Sequence, residues 1–232
     1  MTVIASNLQA VRRDIERYAR AAHRRPEEIT LLAVSKTFPV TAIREAYAEG
    51  QRAFGESYVQ EALGKVAALH DLALDWHFIG PIQSNKTRAI AENFAWVHGV
   101  DRLKIAERLS DQRPPDLSPL NVCLQVNVSG EDSKSGVAPA EACELALQIA
   151  GLPRLRLRGL MAIPAPAEGL PEQRKPFAQL RELLQQMNIQ GLQLDTLSMG
   201  MSHDLEAAIL EGATIVRVGT AIFGGRNYGE NK

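Results

Sequence analysis

A single lysine ends a short apolar run near the amino terminus of the chain. The run is Leu31-Leu32-Ala33-Val34, Ser35 and Lys36 follow it, and Pro39 stops the pattern. A buried strand that presents one amine at its carboxyl end is a typical setting for a lysine that forms a Schiff base. Burial lowers the pKa of an amine and frees its lone pair for attack on a carbonyl. An ordinary strand-end lysine that reaches water gives the same pattern, so the run alone leaves both interpretations open.

A second group of candidate residues lies near the carboxyl terminus. The stretch Ser198-Met199-Gly200-Met201-Ser202 leads into a helical pattern, and Gly219-Thr220 ends a later apolar run. A serine and backbone N–H groups at the start of a helix form an anion site, and glycine lets a backbone approach a ligand closely. Together the two stretches predict a phosphate site, with a plain helix cap as the alternative. Asp204 and Glu206 would repel a phosphate unless their side chains point outward.

An amine and a phosphate site on one protein suggest pyridoxal 5′-phosphate (PLP) as the ligand. Its aldehyde would condense with Lys36. Arg217 lies two residues before Gly219 and is placed to face the pyridine nitrogen. A guanidinium cannot accept a proton, so the ring nitrogen beside it would stay unprotonated and the cofactor would be a weak electron sink.

The elements that must position these residues alternate along the chain. Apolar runs predict strands at 30–36, 52–55, 75–80, 95–100, 120–127, 155–163, 194–198 and 214–219. Helical patterns lie between them at 40–49, 57–70, 84–93, 102–111, 138–150, 172–188 and 203–211. A further helix precedes the first strand, with an apolar face of Ile4, Leu8, Val11, Ile15, Tyr18 and Ala22.

Eight strands that alternate with helices predict an α/β fold, a (β/α)8 or TIM barrel with an extra N-terminal helix. A doubly wound open sheet is the runner-up, but it would want a glycine-rich turn where Ser35-Lys36-Thr37 stands. The Pro-rich stretches 113–119 and 164–171 are interpreted as loops, so we expect one domain over residues 1–232.

Polar residues gather at the predicted carboxyl ends of the strands, where barrels of this kind carry their active sites. His77 and His98 are candidates for contact with the cofactor, with a place in the barrel interior as the alternative. Lys134 is a candidate for a second aldehyde, although a solvated loop lysine is the simpler interpretation. Lys86 is interpreted as a surface residue, and Tyr58 either covers the ring or packs in the core.

The bulk composition excludes several classes of protein. A net charge of −1, from 26 basic and 27 acidic residues, gives no electrostatic case for nucleic acid or an anionic membrane. No apolar run approaches the roughly 20 residues that span a bilayer. Cys123 and Cys143 are interpreted as reduced core residues, and no Cys/His spacing suggests a metal. We therefore expect a cytoplasmic protein.

The chain resembles the pyridoxal phosphate homeostasis proteins (the YggS/PROSC family), which are similar to the barrel domain of alanine racemase. The resemblance covers nearly the whole chain and rests on LLAVSKTFP (31–39), FGESYVQE (54–61), WHFIGPIQSNK (76–86), VNVSGEDSKSG (126–136), GLMAI (159–163), LSMGMSHDLEAAI (197–209) and VRVGTAIFGGRNY (216–228).

The resemblance implies a fold-type III barrel with the cofactor bonded to Lys36 and Arg217 near its ring nitrogen. It implies phosphate contacts from Met201, Ser202, Gly219 and Thr220. Two departures stand out. Ser57 replaces a usual asparagine near the cofactor, which loosens that contact or lets water replace it. Pro81 replaces a usual leucine, which stiffens its loop and removes a donor.

The sequence leaves three functions open. The first is a carrier that binds PLP, buffers the free aldehyde and hands it to PLP-dependent apo-enzymes, as a monomer and without catalytic residues. The second is a PLP-dependent enzyme such as an amino-acid racemase, which needs an acid/base group on each face of the substrate. In alanine racemase the second base comes from an additional β-domain, and we expect none here because the sequence stops at Lys232. An aldolase-type Schiff-base enzyme is a third possibility, although its lysine usually comes from a later strand.

Overall fold

Strands and helices alternate along the chain as the apolar patterns predict. The computed structural model describes residues 2–131 and 135–225. The strands in this part of the chain are β1 (Thr30–Val34), β2 (Ala53–Glu56), β3 (Asp75–Phe78), β4 (Trp96–Val100), β5 (Leu120–Gln125), β6 (Leu155–Met161), β7 (Thr196–Ser198) and β8 (Ile215–Val218). The helices are α1 (Val3–Ala21), α2 (Val40–Ala48), α3 (Val59–Ala68), α4 (Thr87–Asn93), α5 (Leu103–Gln112), α6 (Pro139–Ala150), α7 (Leu170–Ile189), α8 (Leu205–Leu210) and α9 (Thr220–Phe223).

The strands form one closed parallel barrel in which sequence order is also spatial order. The circle closes between β1 and β8, where Leu32 lies opposite Arg217 and Ala33 lies opposite Val218. This architecture confirms the predicted (β/α)8 barrel. Because parallel strands end at the same rim, the residues that follow β1 and the residues that follow β8 become neighbours.

The phase of β1 decides where Lys36 points. Side chains alternate between the two faces of a strand, and Leu32 packs inside the barrel with Ala53 and Ile215. Val34 is the next inward residue and lines a cavity at the rim together with Lys36. The lysine therefore continues the inward phase of the strand, although the strand itself ends two residues earlier, at Val34.

The larger core lies between the barrel and the surrounding helices. Its largest fully buried side chains include Phe54 on β2, Phe78 on β3, Phe94 after α4 and Phe177 on α7. Each such side chain contributes about 1.5–3 kcal/mol when it leaves water. This layer holds the helices against the strands and so fixes the loops that join them at the rim.

Helix α1 packs across the junction between the first and last units of the barrel. Its buried face is Ala5, Leu8, Val11, Ile15 and Ala19. The side-chain amide of Asn7 donates to the carbonyl oxygen of Ile222 at 3.0 Å. The guanidinium of Arg12 donates to the backbone carbonyl oxygen of Glu49 at 2.8 Å. The predicted N-terminal helix is confirmed, and it ties α2 to α9 across the β1–β8 pairing.

The two cysteines lie in different environments. Cys123 is fully buried on β5, and burial raises the pKa of its thiol to about 12. Cys143 is partly exposed and its thiol donates to the side-chain oxygen of Gln190. The prediction that Cys143 is a core residue holds only in part: it packs against the core from a partly exposed position, because the fully buried stripe of α6 runs through Ala142, Ala146 and Ile149.

Within residues 2–131 and 135–225, no helix is both long and apolar enough to cross a membrane. The same residues contain no group of three or more His, Cys, Asp or Glu side chains that could hold a metal ion.

The close approach of β6 and β7 gives a test of the barrel. A Cβ at Gly159 would lie 1.8 Å from the carbonyl oxygen of Thr196, whereas a Cβ at Gly64 on α3 would meet nothing within 4 Å. We expect Gly159→Ala to lower the free energy of unfolding by about 3 kcal/mol through overpacking. The matched change Gly64→Ala should raise the free energy of unfolding by about 0.5–1 kcal/mol, because alanine is more favourable than glycine at an exposed position inside a helix. Urea unfolding measures both, and equal effects at the two positions would contradict the close pairing of β6 with β7.

Candidate functional site

A cavity of about 190 Å³ opens at the rim formed by the carboxyl ends of the strands. It is lined by Val34, Lys36, Ser57, Ile79, Ile163, Met201, Ser202, His203, Arg217, Gly219 and Thr220. The lining contains seven residues that the sequence proposes for the cofactor, Lys36, Ser57, Met201, Ser202, Arg217, Gly219 and Thr220, whereas His77, His98 and Tyr58 are outside it. One space thus brings together an amine from the start of the chain and a guanidinium and backbone loops from its end.

Lys36 lies in a tight turn that follows β1. The backbone N–H of Phe38 donates to the carbonyl oxygen of Ser35 at 3.0 Å, and Thr37 has a left-handed backbone with a φ of 69°. This conformation is unusual for a β-branched residue. The turn sends the chain back over the rim toward α2 and leaves the side chain of Lys36 in the cavity.

Arg217 is buried at the floor of the cavity. One of its nitrogens donates to the carbonyl oxygen and the hydroxyl of Ser198, at 2.6 and 2.7 Å, and another donates to the carbonyl oxygen of Ala162 at 2.9 Å. Burial lowers its pKa to about 10, so the side chain is still a cation at neutral pH. Its bonds join β8 to the ends of β6 and β7 and fix the guanidinium in place.

A chain of hydrogen bonds runs from Arg217 into the barrel. The Ser198 hydroxyl lies 2.7 Å from Nδ1 of His98, and Nε2 of His98 lies 2.9 Å from Nδ1 of His77. Because a guanidinium only donates, the Ser198 hydroxyl is free to donate to His98, and His98 can then donate to His77. The His77 ring stacks on Trp96, with the ring centroids 5.4 Å apart.

Both histidines are uncharged at neutral pH. Burial lowers the pKa of His77 to about 3. Burial, followed by electrostatic interactions with His77 and Arg217, holds the pKa of His98 well below its usual value. His77 thus lies in the barrel interior and reaches the cavity through His98, Ser198 and Arg217. Its direct contact with a cofactor stays a prediction.

The two predicted phosphate loops have glycine where a side chain would be crowded. Gly200 has a φ of 94°, and a Cβ there would lie 2.5 Å from the Cβ of Ala208. A Cβ at Gly219 would lie 3.1 Å from the carbonyl oxygen of Val34. Helices α8 and α9 begin directly after these loops, at Leu205 and Thr220. The first N–H groups of any helix lack an acceptor within it, so these loops are suited to an anion.

Asp204 does not point away from the first of these loops. Its carboxylate accepts a hydrogen bond from the backbone N–H of Met201 at 2.6 Å. Burial raises the pKa of Asp204, an effect opposed by its bond to Met201 and by the charge of Arg217. The carboxylate therefore occupies an N–H group that the sequence assigns to phosphate, and an anion that contacts Met201 must displace it.

The remaining sequence candidates lie apart from this cavity. Tyr58, 54% exposed, and Lys86 line a neighbouring cavity of about 480 Å³, which shares Ser57 with the first. Lys134 lies outside the described residues. Sequence reasoning missed His203, although it directly follows Ser202, and the apolar walls Ile79 and Ile163. Ile163 ends the GLMAI motif just past the carboxyl end of β6, and this position could have indicated that it lines the site.

The fold and the site together define a class of protein: a (β/α)8 barrel with a lysine after the first strand and an arginine on the last. Residues 6–227 match the model of the family described as alanine racemase, N-terminal domain. The chain is 65% identical over 229 residues to the pyridoxal phosphate homeostasis protein of Pseudomonas aeruginosa, covering 99% of this chain and 98% of the relative. It is 55% identical over 231 residues to that of Escherichia coli strain K12, covering 98% and 99%. The chain belongs to the alanine racemase N-terminal domain family and, within it, to the pyridoxal phosphate homeostasis proteins.

Solved structures agree with this assignment. PipY of Synechococcus elongatus PCC7942, solved with PLP bound, is 40% identical, with a TM-score of 0.83 and coverage of 95% of this chain and all of that one. Alanine racemase from Corynebacterium glutamicum is 19% identical, with a TM-score of 0.72 and coverage of 99% and 63%. At that identity the racemase shows the shared barrel alone.

The two neutral histidines predict how stability depends on pH. Their pKa values are lower in the folded chain than in the unfolded one, so the unfolded state binds more protons as the pH falls below about 6.5. We expect the free energy of unfolding to fall by up to about 1.4 kcal/mol per pH unit for each histidine between pH 6 and 4. In His98→Gln the dependence of the free energy of unfolding on pH should be weaker, because only one of the two histidines still contributes. Urea unfolding at several pH values measures this dependence. An NMR titration midpoint near 6.5 for either ring would contradict this account.

Proposed function

We propose that this protein binds PLP, with the cofactor aldehyde bonded to Lys36. The observation that carries the proposal is the shared cavity, which is lined by Lys36, by Arg217 and by residues of the two glycine-containing loops. An amine for the aldehyde, a cation for the ring and backbone N–H groups for the phosphate form a donor set that fits this cofactor.

Different residues of the chain contact the phosphate and the ring of the cofactor. Met201, Ser202, Gly219 and Thr220 hold the phosphate, and the apolar side chains of the cavity exclude water from the ring. Ser57, His77 and Arg217 orient the ring, with His77 acting through the buried hydrogen bonds to Ser198 and Arg217. When bound, PLP supplies an electrophilic aldehyde and, beside a guanidinium, a ring that is a weak electron sink.

The biological role that we propose is PLP homeostasis in the cytoplasm. The protein buffers the reactive aldehyde and delivers the cofactor to PLP-dependent apo-enzymes, acting as a monomer and as one domain over residues 1–232. The name that the relatives share supports this role, because they are pyridoxal phosphate homeostasis proteins. The PipY structure with PLP bound supports the choice of ligand.

Removal of the amine tests the proposed anchor. After incubation with PLP and borohydride, we expect the unmodified protein to retain the mass of one cofactor on Lys36 and Lys36→Ala to retain no cofactor on any residue. Lys86→Ala is the matched control, because Lys86 lines the neighbouring cavity on the same rim. Peptide mass spectrometry reads the outcome. Equal labelling of Lys36→Ala and the unmodified protein would disprove the anchor.

A racemase is the alternative function, and His203 is the observation that favours it. Its imidazole lines the cavity together with Lys36, and two acid/base groups are what racemisation requires. Our proposal instead expects PLP-loaded protein in deuterated water to leave the α-hydrogen of L-alanine unexchanged, as followed by NMR. Exchange that is lost in His203→Asn but retained in His70→Asn, a change at an exposed histidine, would establish turnover and overturn the carrier role.

A further inference from the structure

A cluster of buried charges lies directly behind Lys36, between the ends of β1 and β2 and helix α3. Glu56 is fully buried and Lys65 is 5% exposed. The Lys65 ammonium donates to the carbonyl oxygen of Ser35 at 2.7 Å, to Oε1 of Glu56 at 2.8 Å and to Oε1 of Glu61 at 2.5 Å. An ammonium has three N–H groups, so all three have acceptors.

This cluster holds both peptide bonds of Lys36. The carbonyl of Ser35, which Lys65 bonds, belongs to the peptide unit before Lys36. The N–H of Thr37 belongs to the unit after it and donates to Oε1 of Glu61 at 2.6 Å. The hydroxyl of Ser35 also donates to Glu56, at 2.6 Å. One ammonium and its two carboxylates therefore fix the backbone on either side of the lysine.

The cluster stabilises a backbone conformation at Thr37 that is unfavourable by itself. Thr37 has a φ of 69°, in the left-handed region where a β-branched residue is strained. Such strain persists only where surrounding contacts enforce it, and the bond from Thr37 to Glu61 is such a contact. The strained residue is the immediate neighbour of the lysine.

Stability alone does not explain a cluster of this kind. Buried ion pairs are often replaced by apolar residues without loss of stability, because desolvation offsets the attraction of the charges. Here Oε2 of Glu56 is also buried without a hydrogen-bond partner in the described part of the chain. Burial raises the pKa of this carboxyl, and the ammonium of Lys65 opposes that rise. The arrangement is costly, and its contacts converge on the two residues next to Lys36.

We propose that Glu56, Lys65 and Glu61 are positioning residues that fix where the Lys36 amine lies in the cavity. This inference rests on the proposed function of Lys36. Attack on an aldehyde requires the reacting atoms to be held about 3–3.5 Å apart in a defined direction. A rotation of either peptide unit swings the long side chain away from that position.

Two ligands separate positioning from a general disturbance of the site. PLP has the aldehyde that bonds to an amine, whereas pyridoxine 5′-phosphate has an alcohol at the same position and cannot form that bond. We expect Glu61→Ala to weaken PLP binding about tenfold, the effect of one lost hydrogen bond to a charged group. The affinity for pyridoxine 5′-phosphate should be unchanged, because the ring and phosphate contacts remain.

The variants are chosen so that the result has one interpretation. Glu61→Gln keeps an oxygen that accepts from Thr37 and should recover most of the PLP affinity. Glu92→Ala on α4 is the matched control, since Glu92 and Arg88 form a helical ion pair with the same spacing as Glu61 and Lys65. Glu61→Asp keeps the charge but shortens the side chain, so it loses the bond to the Thr37 N–H and should reproduce the selective loss if Glu61→Ala does not fold.

The outcomes distinguish this inference from the function on which it rests. If the unmodified protein does not bond PLP at Lys36, the proposed function fails. If it does, and Glu61→Ala and Glu61→Asp weaken both ligands equally or neither of them, the positioning role is overturned. Selective loss of PLP affinity in both variants, with recovery in Glu61→Gln, supports it.

Discussion

The first and last strands of the barrel pair with each other, and the candidate site depends on that pairing. The ladder runs from Thr30 opposite Ile215 to Ala33 opposite Val218. It places the turn that carries Lys36 beside the loop that begins at Gly219, where a Cβ would lie only 3.1 Å from the carbonyl oxygen of Val34. Helix α1 packs across the same junction. Every ligand contact that we propose from the ends of the chain follows from this closure.

Two buried cations flank this junction, and their surroundings give them different roles. Lys65 lies outside the barrel wall, where the carboxylates of Glu56 and Glu61 neutralise its charge. Arg217 lies inside, and its hydrogen bonds to Ser198 and Ala162 go to uncharged oxygens. The Asp204 carboxylate also interacts with the Arg217 charge, so the positive potential in the cavity is only partly balanced. One cation therefore organises the backbone, and the other faces the ligand.

The sequence allowed most of the fold to be predicted, because the evidence for it is local. Apolar periodicity and turn residues placed the eight strands, and their alternation with helices predicted the barrel. Lys36, Arg217 and Thr220 were predicted to share a rim because parallel strands end together. Cys143 lies at the edge of the core and not inside it, because a helical stripe shifts by one residue without a clear change in pattern.

The side-chain partnerships could not be predicted, because they join residues far apart in the chain. The hydrogen bond between His98 and Ser198 spans a hundred residues. No local pattern marks Lys65 as buried, since it lies in an amphipathic helix where lysine is common. Asp204 was recognised as a difficulty for a phosphate, but its bond to Met201 depends on a turn that only the three-dimensional structure shows.

Closure between the two ends of the chain also sets when the site comes into existence. During synthesis, Lys36 leaves the ribosome well before Arg217 and the loop at Gly219 have been made. At about 5–20 residues per second, this interval lasts roughly ten seconds or more. Through that time the lysine has neither the guanidinium nor the last loop beside it, so a nascent chain lacks the means to hold a phosphorylated aldehyde. If the cofactor binds through the contacts proposed above, it binds only after β8 has been made and paired with β1.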